Sequence, residues 1–209
     1  MVFAGGFRRL QDLFGVRKDR YDPGRTVEFG RYVQEPGGPV TPLIWKVLDI
    51  TNGTALLLAD KCIDSKSYND ELIGGTWESC SLRRWLNDNF YNRAFNDDDR
   101  ARIPRVRVRC TWNPEYDTDP GEDTYDFVFC PSYDEILKYF RKQASRKCRP
   151  TEYAAETGRL DVKGCAYWLR SPGSAPDSAT VVGNDGSFHV VGVSRDDVAV
   201  RPALYVRLT

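Results

Sequence analysis

The chain contains one histidine among 209 residues, and neither sign of charge is in excess. Because Lys plus Arg and Asp plus Glu each number 30, the chain has no excess positive charge to attract nucleic acid. No apolar run approaches the ~20 residues of a membrane-spanning helix. A single histidine, His189, also makes a catalytic triad or a histidine-based metal site difficult to assemble. The sequence therefore predicts no nucleic-acid partner and no transmembrane segment.

Motifs for catalysis and cofactor binding are absent as well. There is no G-x-S-x-G, no Walker loop, no dinucleotide fingerprint and no H-E-x-x-H. Carboxylates are plentiful, but the pattern singles out no acid/base pair. His189 lies in the alternating stretch SFHVV, which favours a surface strand position over a catalytic base. We predict no catalytic residue, no metal site and no cofactor, and we do not expect an enzyme.

The six cysteines form no C-x-x-C pair, which argues against a structural zinc site. A chain of this length does not need disulfides, and it shows no secretion signal. We expect reduced and mostly buried thiols, because cysteine is commonly buried as a small hydrophobe. The cysteines are Cys62, Cys80, Cys110, Cys130, Cys148 and Cys165.

Residues 1–25 form an extension ahead of a single domain predicted over residues 26–209. The start, MVFAGGFRRLQDLFGVRKDR, is a poor signal peptide, because charged residues and Gln11-Asp12 interrupt its apolar run. It is typical of a short amphipathic helix that either packs on the domain or docks on a partner or membrane surface. The apolar residues at helical spacing are Phe3, Phe7, Leu10 and Phe14. The cytosol, a virion and a cell surface all stay open as locations.

Strand patterns occur at both ends of the domain. TVEFGRYVQ alternates, and the apolar runs PLIWKVLDI and GTALLLAD flank Asn52-Gly53, a strong hairpin signal. From Gly164 onward, the stretches CAYWLR, SATVV, SFHVV and AVRPALYVRL are strand candidates, with a tight turn at Asn184-Asp185-Gly186. Between these regions, Arg105–Arg109 predicts a half-exposed strand and FVFCP a buried one.

Helix signals fall in the middle of the chain. Ser132 and Glu135 have the spacing of a capping box, and the acidic run Asn96–Asp99 precedes a short helix. TEYAAETG predicts a brief helix ended by Gly158. The strongest pattern is an apolar helix face made by Leu82, Trp85, Leu86 and Phe90. Strands, helices and then strands again predict the α+β class.

The long acidic loop WNPEYDTDPGEDTYD admits two interpretations. Its carboxylates are suitable calcium ligands, but the Asp-x-Asp-x-Asp-Gly spacing is missing. A solvated loop is therefore the favoured interpretation.

Three blocks of sequence occur together: VEFGRYVQ with TPLIWKVLDI, then TWESCSLRRWLNDNFYNRAF, then YWLRSPG leading to VRPALYV. In this order they resemble a bacterial and phage family of domains of unknown function. The family pattern is F-G-x-Y, then W-E-x-C-x-L-R-x-W-L-N, then W-L-R-S-P-G to V-R-P-A-L. The resemblance covers most of Thr26 to Leu208.

That family resembles a branch of the C-type-lectin fold near the formylglycine-generating type. The resemblance implies two helices, starting near Ser79 and at Ser132, that flank small antiparallel sheets. It also implies that the first and last strands lie close together, with VRPALYVRL pairing near LIWKVLDI. The formylglycine-generating relatives are oxidoreductases with reactive C-terminal cysteines. Here no cysteine follows Cys165, so a cysteine oxidase is the less favoured alternative.

Other relatives are the variable proteins of diversity-generating retroelements, in which adenine-directed mutagenesis rewrites a C-terminal segment. After Trp168 the chain lacks Lys, Glu, Gln, Trp, Met and Ile. Changing the adenines of AAC or AAT codons cannot produce Lys, Glu, Gln, Trp or Met. The same changes can produce every residue type that occurs between Ser174 and Asp197. Turns and strands also favour small residues, Val and Thr, so a fixed carbohydrate- or protein-binding domain of the same fold is the alternative.

The resemblance thus implies a rigid scaffold that presents a hypervariable surface to a protein or glycan ligand. Phe188, His189 and Arg195 are the expected energetic anchors, and alanine at any of them should leave the melting temperature nearly unchanged. The expected ligand-binding residues are Ser174, Ala175, Asp177, Ser178, Thr180, Val181, Gly183, Phe188, His189, Val191, Val193, Ser194, Arg195 and Asp196. The expected framework residues around them are Trp168, Leu169, Arg170, Pro172, Gly173, Arg201, Pro202 and Leu204. Neither the ligand nor the oligomeric state is predicted.

Overall fold

A computed structural model describes residues 21–71 and 74–208, so the amphipathic helix predicted near the N-terminus lies outside the described residues. No helix within these ranges is long and apolar enough to cross a membrane. The strands are β1 (Thr26–Val33), β2 (Val40–Thr51), β3 (Thr54–Ala59), β4 (Asp64–Ser65), β5 (Val106–Val108), β6 (Thr124–Asp126), β7 (Val128–Phe129), β8 (Tyr167–Pro172), β9 (Ser178–Val182), β10 (Phe188–Gly192), β11 (Ala199–Val200) and β12 (Ala203–Arg207).

The helices fall between β4 and β8 in the chain, with the short strands β5, β6 and β7 among them. They are α1 (Ser81–Trp85), which continues through a π-helical turn (Leu86–Phe90) into α2 (Tyr91–Ala94), then α3 (Asp97–Arg102), α4 (Tyr133–Tyr139), α5 (Gln143–Arg146) and α6 (Glu152–Gly158). Together with mainly antiparallel sheets, this mixture agrees with the predicted α+β class.

Two five-stranded sheets form the body of the described chain. The first has the order β1-β2-β3-β12-β7 and the second the order β10-β9-β8-β11-β4, while β5 and β6 pair separately. All pairs are antiparallel except β8 with β11. The predicted β2–β3 hairpin is confirmed: Asn52 and Gly53 both have positive φ, as a two-residue type I′ turn requires.

The closing strand pairs differently from the expectation. β12 lies between β3 and β7, with Leu204 opposite both Leu57 and Val128. The expected pairing near LIWKVLDI was therefore wrong by one strand. The reason is that β1 and β3 already occupy the two edges of β2, which leaves only the outer edge of β3 for the end of the chain.

Both main helices begin at polar caps. The Cys80 sulfur accepts a hydrogen bond from the Arg83 amide at 3.4 Å, so the first helix starts at Ser81, two residues after the predicted position. The predicted capping box of α4 is confirmed, because Ser132 and Glu135 each accept a hydrogen bond from the other's amide, at 3.1 and 2.9 Å.

Strand β8 is buried on both faces, and it divides the core into two parts. Trp168 packs into the larger core beside Tyr68, at a ring-centroid distance of 5.4 Å. Tyr167 and Leu169 point the other way, into a smaller core beneath α4. Because β8 occupies the centre of its sheet, the β9–β10 hairpin is carried to the edge of the molecule.

Candidate ligand-binding site

The β9–β10 hairpin is closed by the predicted turn. Gly186 has φ +87°, its amide donates to the Gly183 carbonyl at 2.9 Å, and Asp185 accepts from the Ser187 amide at 3.0 Å. A Cβ at Gly186 would approach the Gln143 carbonyl oxygen to 2.2 Å, so glycine is required both for its conformation and for its closeness to α5. The turn is therefore held firmly against the body.

Residues of β10, the edge strand, face two different environments in alternation. Phe188 lies opposite Val182 and turns toward α4, where its ring centroid is 4.2 Å from that of Tyr133. The Arg146 guanidinium lies over the same ring at 4.8 Å. Phe188 is thus half-buried and helps attach β10 to the body, which differs from the freely exposed anchor that the sequence predicted.

The opposite face of the hairpin forms one wall of an open cleft of about 370 Å³, here called the His189 cleft. Its second wall is the segment between α6 and β8. The lining residues are Arg159, Leu160, Asp161, Gly164, Cys165, Ala166, Val181, Gly183, Asn184, His189, Val191 and Asp197. The cleft combines an imidazole ring, carboxylates, a guanidinium group, an amide and apolar surface, which suits a ligand that carries both polar and apolar groups.

His189 is exposed and belongs to a small network within the turn. Its Nε2 atom lies 2.9 Å from the Ser187 hydroxyl and 3.5 Å from the Asp185 carboxylate. The hydrogen bonds from Ser187 lower the pKa of Asp185 to about 2. In a catalytic triad the carboxylate orients the other ring nitrogen, whereas here it bonds to the serine itself, so the network fixes the turn and does not activate Ser187.

Ion pairs lie next to the cleft. Arg159 contacts Asp196 at 3.1 Å, and Arg195 makes a two-point contact with Asp197. The Arg195 guanidinium lowers the pKa of Asp197, which lines the cleft and is therefore ionised at neutral pH. These groups are exposed and so contribute little to stability, but they are available to a ligand.

A second cleft, of about 330 Å³, lies at the other end of the hairpin. We call it the Pro176 cleft. Asn113 donates to the carbonyl of its lining residue Pro172 at 3.2 Å and to the Thr180 hydroxyl at 2.9 Å. Its lining residues are Gly74, Gly75, Thr76, Ser79, Thr118, Asp119, Pro172, Ala175, Pro176 and Ser178.

The structure divides the fourteen predicted residues among several environments. The His189 cleft contains Val181, Gly183, His189 and Val191, and the Pro176 cleft contains Ala175 and Ser178. Outside both clefts, Ser174, Asp177, Arg195 and Asp196 are exposed, while Phe188 and Ser194 are half-buried and Thr180 and Val193 are buried.

The expectation of solvent-facing side chains is wrong at three positions, Thr180, Val181 and Val193, and the backbone of Gly183 is buried as well. Thr180 and Val181 are each 1% exposed because β9 is an interior strand, covered by β8 and β10 at its edges and by the two cores on its faces. Val193 is held by its amide, which donates to the Asp177 carbonyl at 2.9 Å. The side chains of Thr180, Val181 and Val193 serve packing.

Sequence reasoning missed the second wall of the His189 cleft. Arg159 follows α6 in the left-handed conformation, with φ 53°, which turns the chain toward the hairpin. Gly158 is needed for another reason: a Cβ there would lie 2.2 Å from the Ser65 hydroxyl. The glycine indicated the helix end correctly, but no local signal showed that the next residues face β10.

The part of the chain that the structure describes contains no group of three His, Cys, Asp or Glu side chains placed to hold a metal ion. In the acidic loop, Asp123 accepts from the Cys110 amide at 2.9 Å and pairs with Arg107 at 2.8 Å. This carboxylate thus bonds within the protein.

Comparison with protein families assigns the chain to a known family. The model described as "Domain of unknown function (DUF6273)" matches residues 52–208. The chain belongs to the DUF6273 family. This confirms the resemblance to a family of domains of unknown function, although the match begins at Asn52, after the VEFGRYVQ and TPLIWKVLDI block. No curated protein and no solved structure matches the chain.

Alanine substitutions at His189, Arg195 and Phe188 of the DUF6273 domain should distinguish exposed side chains from one that packs on the body of the domain. His189→Ala and Arg195→Ala should each change the free energy of unfolding by less than about 0.5 kcal/mol, because both side chains are exposed. Phe188→Ala should cost about 1–3 kcal/mol, because it removes the ring that packs on Tyr133. Urea unfolding of the three variants tests this, and equal small losses at all three would contradict the packing role of Phe188.

Proposed function

We propose that this DUF6273 domain is a non-enzymatic binding protein that recognises a protein or glycan through the β9–β10 face, centred on the His189 cleft. The observation that carries the proposal is the composition of that cleft, where His189, Asn184, Asp197 and Arg159 surround the apolar surface of Val191. Hydrogen-bonding groups around an apolar floor suit a sugar ring or a protein side chain equally well.

A macromolecular ligand fits the shape of the site better than a small molecule does. Deep small-molecule pockets enclose most of their ligand and are lined mainly by apolar groups. The His189 cleft is open, and its charged groups continue past its rim to the exposed residues Arg195 and Asp196. A partner that extends over this face would contact the cleft and the rim together.

We further propose that the exposed positions of this face vary among copies of the protein, as in the variable proteins of diversity-generating retroelements. Support comes from the residue types between Ser174 and Asp197, all of which are reachable from asparagine codons by changes at adenine. Burial limits which positions can vary without loss of folding. Variation should spare the buried Thr180, Val181 and Val193. It should concentrate at the exposed positions Ser174, Asp177, His189, Arg195 and Asp196. A fixed binding face is the alternative.

The scaffold is proposed to be C-type-lectin-like. What supports this is the presence of two capped helices, at α1 and α4, beside two mainly antiparallel sheets. The first and last strands share the first sheet but are separated in it by β2 and β3. An experimental structure of the domain, superposed on known C-type-lectin domains, tests this proposal, and a different strand order and helix placement would contradict it.

Sequencing the DNA beside the gene tests the proposed diversification directly. We expect a near-copy of the segment that encodes Trp168 to Leu208, mismatched only where the copy has adenine, and a neighbouring reverse-transcriptase gene. Mismatches should fall in codons for exposed residues such as His189 and Arg195. Absence of any repeat would refute diversification and leave a fixed binding domain.

A pair of matched libraries tests, independently of the genome, whether the exposed positions of the β9–β10 face tolerate substitution. One library randomises the exposed positions Ser174, Asp177, His189, Arg195 and Asp196, and the control library randomises the buried Thr180, Val181 and Val193. We expect most members of the first library, and few of the second, to resist proteolysis as the parent does. The first library, selected against a purified protein and against a branched oligosaccharide, should give binders with changes at His189 in the cleft and at the exposed positions around it. Equal loss of folding in both libraries would contradict the proposal.

A further inference from the structure

Three of the six cysteines converge in the smaller core. Cys148 and Cys165 lie directly opposite each other on antiparallel segments, and the Cys165 amide donates to the Cys148 carbonyl at 3.2 Å. Cys62 lies on the neighbouring segment, where its amide donates to the Arg149 carbonyl at 3.0 Å. All three side chains belong to one apolar cluster, with exposures of 0–4%.

A buried guanidinium group lies beside these thiols. Arg201 is 1% exposed, and its side chain donates to the Ala59 carbonyl at 2.9 Å and to the Tyr167 hydroxyl at 3.2 Å. Within the described residues no carboxylate forms an ion pair with it. A buried cation with only neutral partners is costly, and a nearby anion relieves that cost. The cysteines are the acidic groups placed to supply one.

The electrostatics favour ionisation of Cys148 over ionisation of Cys62. A hydrogen bond from the Cys62 thiol lowers the pKa of Cys148 to about 7, burial opposes this shift, and the Arg201 charge assists it. Burial and the hydrogen bond to Cys148 raise the pKa of Cys62 itself. The Cys62 hydrogen bond and the Arg201 charge thus favour the thiolate of Cys148, whereas its neutral thiol donates to the Asp60 and Arg149 carbonyls at 3.4 and 3.6 Å.

We propose that Cys148 and Cys165 form a redox-active thiol pair that a hydroperoxide converts to a disulfide, with Cys62 as the positioning residue that keeps Cys148 nucleophilic. Residues paired across a hydrogen-bonded antiparallel bridge have Cα atoms about 5.5 Å apart, inside the range of about 4.4–6.8 Å for disulfides. Cys62 lies opposite Pro150, two residues from Cys148, so Cys165 and not Cys62 is the residue directly across from Cys148.

The reaction balances in two steps. The Cys148 thiolate attacks one oxygen of the hydroperoxide, the O–O bond breaks, and the other oxygen leaves as water or an alcohol after it takes a proton. The resulting sulfenic acid is attacked by the sulfur of Cys165, and the hydroxide that leaves takes the Cys165 proton as water. Two thiols lose two electrons, and the hydroperoxide gains them.

The His189 cleft gives the oxidant access to the Cys165 side of this pair. Cys165 is among the residues that line the cleft, and Cys148 lies directly opposite it with an exposure of 4%, whereas the side chain of Cys62 is fully enclosed. The redox proposal depends on this access and does not depend on the cleft binding a protein or glycan. Failure of one proposal therefore leaves the other intact.

The sequence makes the disulfide identifiable by mass spectrometry. Trypsin places the three cysteines on separate peptides: 62–66, 148–159 and 164–170. The full chain is treated with hydrogen peroxide, free thiols are blocked with a maleimide, and the tryptic digest is measured without reductant. We expect peptide 148–159 joined to peptide 164–170, with its formation rate rising about tenfold between about pH 6 and about pH 8 as Cys148 ionises.

Two variants serve as controls. Cys110→Ser removes the only half-buried thiol of the chain and should leave the rate of disulfide formation unchanged. Cys62→Ala should shift the ionisation of Cys148, followed by the ultraviolet absorbance of the thiolate, to higher pH, whereas Cys62→Ser keeps a hydroxyl donor and should shift it less. A disulfide that includes peptide 62–66, faster oxidation of Cys110, or a thiolate titration that Cys148→Ser leaves unchanged would each overturn the proposal.

Discussion

Trp168→Ala should lower the free energy of unfolding by about 3–5 kcal/mol. The indole is fully buried where β8 meets the larger core, its Nε1 donates to the Lys66 carbonyl at 2.8 Å, and Tyr68 packs against its ring. Truncation removes this apolar contact, opens a cavity and leaves the Lys66 carbonyl without its donor. Urea denaturation followed by circular dichroism measures the loss.

Trp112→Ala is the matched control, because that indole is 54% exposed. Its effect should stay within about 0.5 kcal/mol. If the two tryptophan variants lost similar stability, the described core around β8 would be wrong. The contrast also bears on function, since Trp168 precedes the proposed variable face and holds the strand on which that face is built.

Arg170→Met should cost a similar amount, about 3–5 kcal/mol, because it breaks a buried charge pair. The Arg170 guanidinium makes a two-point contact with Glu135, at 2.6 and 2.9 Å, and donates to the Arg109 and Cys130 carbonyls at 3.0 and 2.9 Å. Loss of the cation leaves a carboxylate in a mostly buried place and two carbonyls without their donors. The same contacts join β8 to α4, so several elements should loosen together.

The matched variant is Glu135→Gln, which keeps an oxygen to accept from the Ser132 amide. In a double-mutant cycle, Arg170→Met with Glu135→Gln should cost clearly less than the sum of the single changes, because no unpaired buried charge is left. Strict additivity of the two losses would contradict the ion pair.

The contribution of Glu135 to the pH dependence of stability should reverse sign in Arg170→Met. In the wild type, burial raises the pKa of Glu135, but Arg170 outweighs burial and holds it below the ordinary 4.5. The pair therefore stabilises the fold above that ordinary value and loses its contribution as pH falls through the lower folded pKa. Without Arg170, burial is opposed only by the smaller influences of the Ser132 amide and the Lys138 charge, so we expect a raised folded pKa and a contribution to stability that falls as pH rises from the ordinary value through the raised one. Urea titrations across the acid range compare the slopes.

The features that sequence determined are those made by neighbouring residues. The turn at Asn52-Gly53 needs positive φ at both positions, the box of Ser132 and Glu135 spans three residues, and the turn at Gly186 bonds within itself. Each of these is formed by hydrogen bonds between groups close in the chain. The α+β class followed from their order along the sequence.

The candidate site was predicted only in part, for a physical reason. An alternating strand shows which residues share a face, but it does not show whether another layer covers that face. Val181 resembles a replaceable surface residue in sequence and is buried because β9 lies inside its sheet, whereas His189, directly opposite on the edge strand, is exposed. The sequence thus located the hairpin and overestimated its free surface.

By itself, the sequence determined the hairpins, the capped helices, the mixed class and the family, because local hydrogen bonding and residue order carry that information. Only the tertiary structure decided which edge of β3 receives β12, which hairpin residues are covered, and that Arg159 and Asp161 complete the His189 cleft. It also decided that Cys148 faces Cys165 beside Arg201. These are contacts between distant parts of the chain, and their partners are set by how the layers pack.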